Sequence, residues 1–184
     1  TASATDCCLE IPYNAEGGEG NFRLNIDESL IFKLGADAVD DKSIVFEMDF
    51  AIGGEGKKAN GWRVFLSQRA GSGGYLSSPR FHITEDLFGR MKDSSSINTA
   101  KAYPMYKNQF SHLKVVINKQ TKKFTYYLNG VPVEVGVAAM HANVPNIGTI
   151  YIGSPLEVVD LESKLYIDNL KLYVEEAKPE PTEV

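Results

Sequence analysis

The sequence predicts an all-β protein: an antiparallel sandwich with almost no helix. Apolar and polar residues alternate with a period of two along several segments, which is the spacing of a half-buried strand. Turn-forming Gly, Asn and Pro break those segments at short intervals, with no helical crossover between them. Nine Tyr, nine Phe and one Trp accompany sixteen Gly in 184 residues, a balance that favours strands and turns.

Along the chain, Ser43–Ala51 places Ile44, Phe46, Met48 and Phe50 on one face and Val45, Glu47 and Asp49 on the other. Gly53-Gly54-Glu55-Gly56 ends that strand. In 61–67, Trp62, Val64 and Leu66 alternate with Arg63, Phe65 and Ser67, so Trp62 is expected in the core. Pro79–Thr84 sets Phe81 and Ile83 against Arg80 and His82. Asp86–Met91 and Val137–His141 are expected to form helical turns at most.

The clearest unit is a hairpin. Leu113–Asn118 is a strand, Lys119-Gln120-Thr121 turns the chain, and Lys122–Leu128 returns. Asn129-Gly130 then predicts a type I′ turn, which needs positive φ at both residues. Pro132 marks Val131–Val135 as an edge or irregular strand, because proline cannot donate to a ladder. Thr149–Gly153 and Lys164–Val174 complete the set. In the last strand Leu165 and Ile167 share one parity while Leu170, Leu172 and Val174 share the other, which predicts a β-bulge at Asp168-Asn169.

The length fits one domain, expected over residues 1–174. The Pro- and Glu-rich stretch 175–184 loses all periodicity and is expected to be a stiff linker to other domains of a longer chain. A net charge of -5 without a basic cluster in the sequence argues against nucleic acid. No apolar run reaches the roughly 18 residues needed to span a bilayer, so no membrane insertion is expected. Cys7 and Cys8 are adjacent, poorly placed to bridge each other, and leave the redox compartment open.

Phe110–Asn118, followed by Lys122–Gly130 with its Tyr126-Tyr127-Leu128-Asn129-Gly130 ending, resembles the hairpin of concanavalin A-like and laminin G-like domains. Leu165–Tyr173 resembles their closing strand. The resemblance covers about a third of the chain and implies a concanavalin A-like jelly roll with one concave and one convex sheet. It also implies an extracellular setting, secreted or at the cell surface, and a polysaccharide or glycan as partner. Many relatives hold a structural calcium; here Asp168 at the bulge and Glu10 near the start are the implied ligands.

Three functions are compatible with such a fold. The first expectation is a secreted, non-catalytic carbohydrate-binding module that recognises a polysaccharide on its concave sheet. Aromatic rings stack on the apolar side of a pyranose while polar groups bond its hydroxyls. Glu47, Asp49, Arg63, Arg80 and His82 are the candidates on the strands, with Tyr75, Tyr103 and Tyr106 at the rim. The alternatives are a polysaccharide-degrading enzyme, either glycoside hydrolase or lyase, and a laminin G-like adhesion module. Glu47-Met48-Asp49 resembles the start of a laminarinase-like signature, but Ala51 and Ile52 stand where the second Glu belongs. A retaining hydrolase needs two carboxyl groups about 5 Å apart. A lyase needs a Tyr and His pair near an Arg or Asn that neutralises a uronate; Arg63, Arg80, His82, Tyr103 and Tyr106 supply those residue types, but their spacing matches no lyase motif.

Overall fold

The computed structural model describes residues 8–12, 21–53, 62–68, 77–83, 88–92, 102–137, 144–153 and 164–181. These form fourteen strands and two short 3-10 turns, at Glu28–Leu30 and Gly35–Asp37. One six-stranded sheet, sheet A, has the order β1 (Leu9–Pro12), β14 (Lys164–Glu175), β4 (Ser43–Gly53), β9 (Ser111–Asn118), β10 (Phe124–Leu128), β11 (Val131–Val137). The other, sheet B, has the order β2 (Asn21–Asn25), β13 (Thr149–Gly153), β5 (Trp62–Ser67), β6 (Ser77–Ile83), β7 (Phe88–Lys92), β8 (Ala102–Pro104). A two-stranded ribbon of β3 (Phe32–Lys33) and β12 (Asn146–Ile147) stands apart. All ladder pairings between these strands are antiparallel. The fold is an antiparallel jelly-roll sandwich.

The core lies between the two sheets because each strand turns its apolar parity inward. Ile44, Phe46, Met48 and Phe50 of β4 meet Trp62, Val64 and Leu66 of β5 and Phe81 and Ile83 of β6 in one buried cluster. Trp62 is 1% exposed, as its parity requires. Phe50 and Phe81 pack edge to face across the sheets, with ring centres 5.4 Å apart.

The turn and bulge chemistry follows the sequence. Asn129 and Gly130 have φ of 51° and 81°, as a type I′ turn demands. The β14–β4 register shifts between Asp168 and Lys171, and Asn169 takes a φ of 50°. Two short segments go otherwise. Phe88–Lys92 is a strand paired with β6 and β8, where a helical turn was expected over Asp86–Met91. Phe88 and Met91 stand three apart, a helical spacing, but ladder hydrogen bonds on both sides outweigh the preference of so short a segment. Val137 belongs to β11, and 138–141 lie outside the described residues.

Tyr103 of β8 has the inward parity of Ile83 and Gly89, and packs against the core. Its hydroxyl donates to the Val133 carbonyl of β11 at 2.7 Å, so it ties the edge of sheet B to the edge of sheet A. Tyr103→Phe is expected to cost about 1 kcal/mol, read as a lowered urea midpoint with an unchanged slope.

Candidate functional site

Register divides the expected site residues between opposite faces. On the outer face of sheet B, Arg63 stands opposite His82, with Gly153 on its other side. Both Arg63 and His82 are half-buried. The next row runs Arg23, Tyr151, Phe65, Arg80, Lys92 from strand to strand. Phe65 and Tyr151 stack with ring centres 4.2 Å apart and an interplanar angle of 19°. The Arg23 guanidinium lies 5.7 Å from the Tyr151 ring centre. Register also sets Arg90 opposite His82.

The charge content of this sheet is one-sided. Its six strands hold Arg23, Arg63, Arg80, Arg90 and Lys92, and none of their residues is Asp or Glu. The whole chain, by contrast, carries -5. Among the described residues the buried Arg63 Nε has no hydrogen-bond acceptor, and the Ser67 hydroxyl on the same strand has no partner. Buried polar groups are rarely left so.

Glu47 and Asp49 lie on the outer face of sheet A and do not join Arg63 and His82. The two carboxylates belong to β4, whose neighbours are β14 and β9. Glu47 accepts from the Tyr173 hydroxyl at 2.9 Å and pairs with Lys114 at 3.5 Å. Asp49 lies 2.6 Å from His112 Nδ1 through one oxygen and accepts from Asn169 Nδ2 at 2.7 Å through the other. Burial pushes the Asp49 carboxyl upward. The hydrogen bonds from Asn169 and His112, with the charges of His112 and Lys171, outweigh it and hold the group below its ordinary value.

The remaining candidates separate further. Tyr106 is 64% exposed in the segment between β8 and β9, and Tyr103 is the inward strut described above. Tyr75 lies outside the described residues, and Arg80 is placed by its register alone. First and last strands do pair, through Leu9–Ile167 and Glu10–Tyr166. Yet Glu10 is held by Lys164 at 2.9 Å, and Asp168 accepts from its neighbour's amide, Asn169 N, at 2.7 Å. No cluster of three or more acidic, His or Cys side chains fit for a metal occurs among the described residues.

His112 is the residue that sequence reasoning passed over. Its backbone N–H donates to Asn129 Oδ1 and its carbonyl accepts from Asn129 N–H, both at 2.8 Å. Its ring is fixed by Asp49, which is in turn fixed by Asn169. The opening of the hairpin by Phe110-Ser111-His112 was the available signal, but Asp49 lies far away in sequence and only the β4–β9 register joins them.

The class of fold is clear, and comparison with solved structures agrees with it. The sequence matches no family model, and a search of curated proteins gives no match. In structure the chain resembles a polysaccharide lyase of family 18, with a TM-score of 0.51 and 13% identity, over 95% of this chain and 90% of that one. It resembles the botulinum neurotoxin serotype D ligand-binding domain solved with N-acetylneuraminic acid, with a TM-score of 0.53 and 14% identity, over 92% of this chain and 39% of that one. It also resembles a Trypanosoma rangeli sialidase mutant displaying trans-sialidase activity, with a TM-score of 0.54 and 11% identity, over 89% of this chain and 30% of that one. The chain spans less than a third of the length of the sialidases it matches. At these identities the likeness is one of fold.

These matches correct the first functional expectation. A polysaccharide lyase is matched over nearly its whole length. The reading as a non-catalytic carbohydrate-binding module is withdrawn in favour of the enzyme alternative. No helix among the described residues is long and apolar enough to cross a membrane.

The network on sheet A gives a testable titration. Burial, followed by the bond to Glu47 and the charges of Glu47 and Glu175, pushes the Tyr173 phenol up to about 12. A raised folded value means the folded state keeps a proton that the unfolded chain loses near pH 10. Its stabilising contribution is full below pH 10 and lost as pH rises toward 12. Spectrophotometric phenol titration is expected to show a late-titrating tyrosine that vanishes in Tyr173→Phe, and the variant's stability should fall less steeply over that window.

Proposed function

We propose that the chain is a polysaccharide-degrading enzyme, specifically a lyase that cleaves an anionic, uronate-containing polysaccharide on the outer face of sheet B. The observation that carries this reading is the charge segregation. A sheet without a carboxylate on any strand, with cations in cross-strand register, attracts a polyanion electrostatically. The same composition disfavours the hydrolase. The common retaining and inverting hydrolases use two carboxyl groups facing one bond, and none is present on these strands. Glu47 and Asp49 sit on the other sheet, occupied by Tyr173, Lys114, His112 and Asn169.

Arg63 and His82 take the central roles. Arg63 pairs with the uronate carboxylate and stabilises the charge that spreads onto it when the neighbouring carbon loses its proton. His82, the cross-strand neighbour, accepts that proton. The C4–O bond breaks as the C4–C5 double bond forms, and the departing oxygen takes up the proton that His82 accepted, directly or through water. Arg80, Arg90 and Lys92 extend the cationic track for further sugar units. A polymeric substrate of this kind lies outside cells, which favours secretion.

The test is incubation with a panel of uronate polysaccharides, reading the absorbance of the unsaturated uronate product. Activity on at least one is expected, with a loss of about 10²-fold or more in His82→Ala and in Arg63→Ala. New reducing ends without the unsaturated chromophore would instead mean hydrolysis and sink the assignment. So would full activity in both variants.

A further inference from the structure

Residues 176–181, just past Glu175, stay against the domain. They turn back across the outer face of sheet A and close a cavity of about 340 Å³ against β9 and β10. The strap is seated by contacts at both ends. Glu176 pairs with Lys42 at 3.4 Å, and Lys178 with Glu175 at 3.1 Å. At the far end, the Glu180 carboxylate comes so near Gly136 that a Cβ there would lie 3.0 Å from it. Gly136 also has a φ of 60°, where a side chain is strained.

The cavity has the size at which small-molecule sites begin. Its floor carries Tyr127, Thr125, Asn118 and His112, and its wall is Pro179 and Pro181. Most of the charges around it are paired within the protein, and the other two that line it, Lys123 and Glu180, are of opposite sign. Lys114 reaches Glu47 and Glu175, Lys178 reaches Glu175, and His112 lies on Asp49. A ring and two prolines offer apolar faces, while hydroxyl, amide and imidazole groups offer hydrogen bonds. Because Nδ1 of His112 is taken by Asp49, Nε2 at the far side of the ring is the atom left to face a guest. The imidazole is held in one orientation by Asp49, and its backbone by Asn129.

We infer that this cavity is a second binding site, separate from the sheet B face, for a short neutral saccharide. Charges that are mostly paired and balanced in sign favour an uncharged ligand; the Tyr127 face not covered by Lys114 can stack on a sugar ring, whose hydroxyls can bond His112, the Thr125 hydroxyl and the Asn118 amide nitrogen. The inference does not rest on the lyase reading, since it uses the opposite face of the sandwich.

The test is an NMR titration of the full chain with neutral trisaccharides: cellotriose, xylotriose, mannotriose and laminaritriose. At least one is expected to shift the His112 and Tyr127 ring signals saturably. Tyr127→Ala should weaken that binding at least tenfold, Tyr127→Phe should keep most of it, and Arg63→Ala should leave it unchanged. Amide spectra confirm that each variant is folded. Absence of any saturable shift overturns the inference. So does binding that Tyr127→Ala spares, or binding that Arg63→Ala removes.

Discussion

Two sheets can share one dry interior only if every strand sends alternate side chains the same way, and the packing between β4, β5 and β6 shows how strictly that holds. Trp62, Phe46, Phe50 and Phe81 are each fully or almost fully buried, and they come from three strands of two sheets. Large rings of this kind bury 150–250 Å² each and dominate a core's energetics. Once they are committed inward, the intervening residues have no choice of face. Arg63 and His82 point out of sheet B because Trp62, Val64, Phe81 and Ile83 point in. Glu47 and Asp49 point out of sheet A because Phe46, Met48 and Phe50 point in. The functional faces are thus by-products of core packing, and a one-residue slip would invert both.

The sequence made much of this legible. Strands β4, β5, β9, β10, β13 and β14 were readable because each alternates over five or more residues. The bulge was readable because a parity switch inside a strand has few other causes, and the β10–β11 turn because Asn-Gly takes positive φ cheaply. The short strands β1, β2, β3, β8 and β12 were not, since two to five residues carry too little pattern to separate a strand from a loop.

The site was harder for a different reason. Parity tells which residues leave the core on one strand, but not which sheet the strand joins. β4 and β5 are neighbours in sequence and members of opposite sheets. Glu47, Asp49, Arg63 and His82 therefore looked like one polar cluster when they are two. Sheet membership is set by long-range pairing, β4 with β14 and β9, β5 with β13 and β6. A local signal did exist: β4 is acidic and β5 and β6 are basic, which already hints that they face different surroundings. The same long-range pairing hid the Asp49–His112 contact, whose partners are 63 residues apart.

The two outer faces now differ in kind. Sheet B presents arginines and a lysine with no opposing carboxylate on its strands, while sheet A knits Glu47, Asp49 and Glu175 to Lys114, His112 and Lys178. Opposite charges at a few ångströms cancel at longer range, so sheet A projects little field. Where a sheet's strands carry cations and no carboxylate, less of the charge is cancelled within the strands, and the attraction reaches outward by about a Debye length, roughly 8 Å at physiological ionic strength. On the lyase reading proposed above, a polyanion meets overall repulsion from a chain of net charge -5 and attraction at the strands of sheet B. That asymmetry orients the encounter before any specific contact forms. It also explains how an acidic protein without a basic run in its sequence brings basic residues into register on one sheet. The cations are scattered along the chain, and only the antiparallel register of β2, β13, β5, β6 and β7 gathers them.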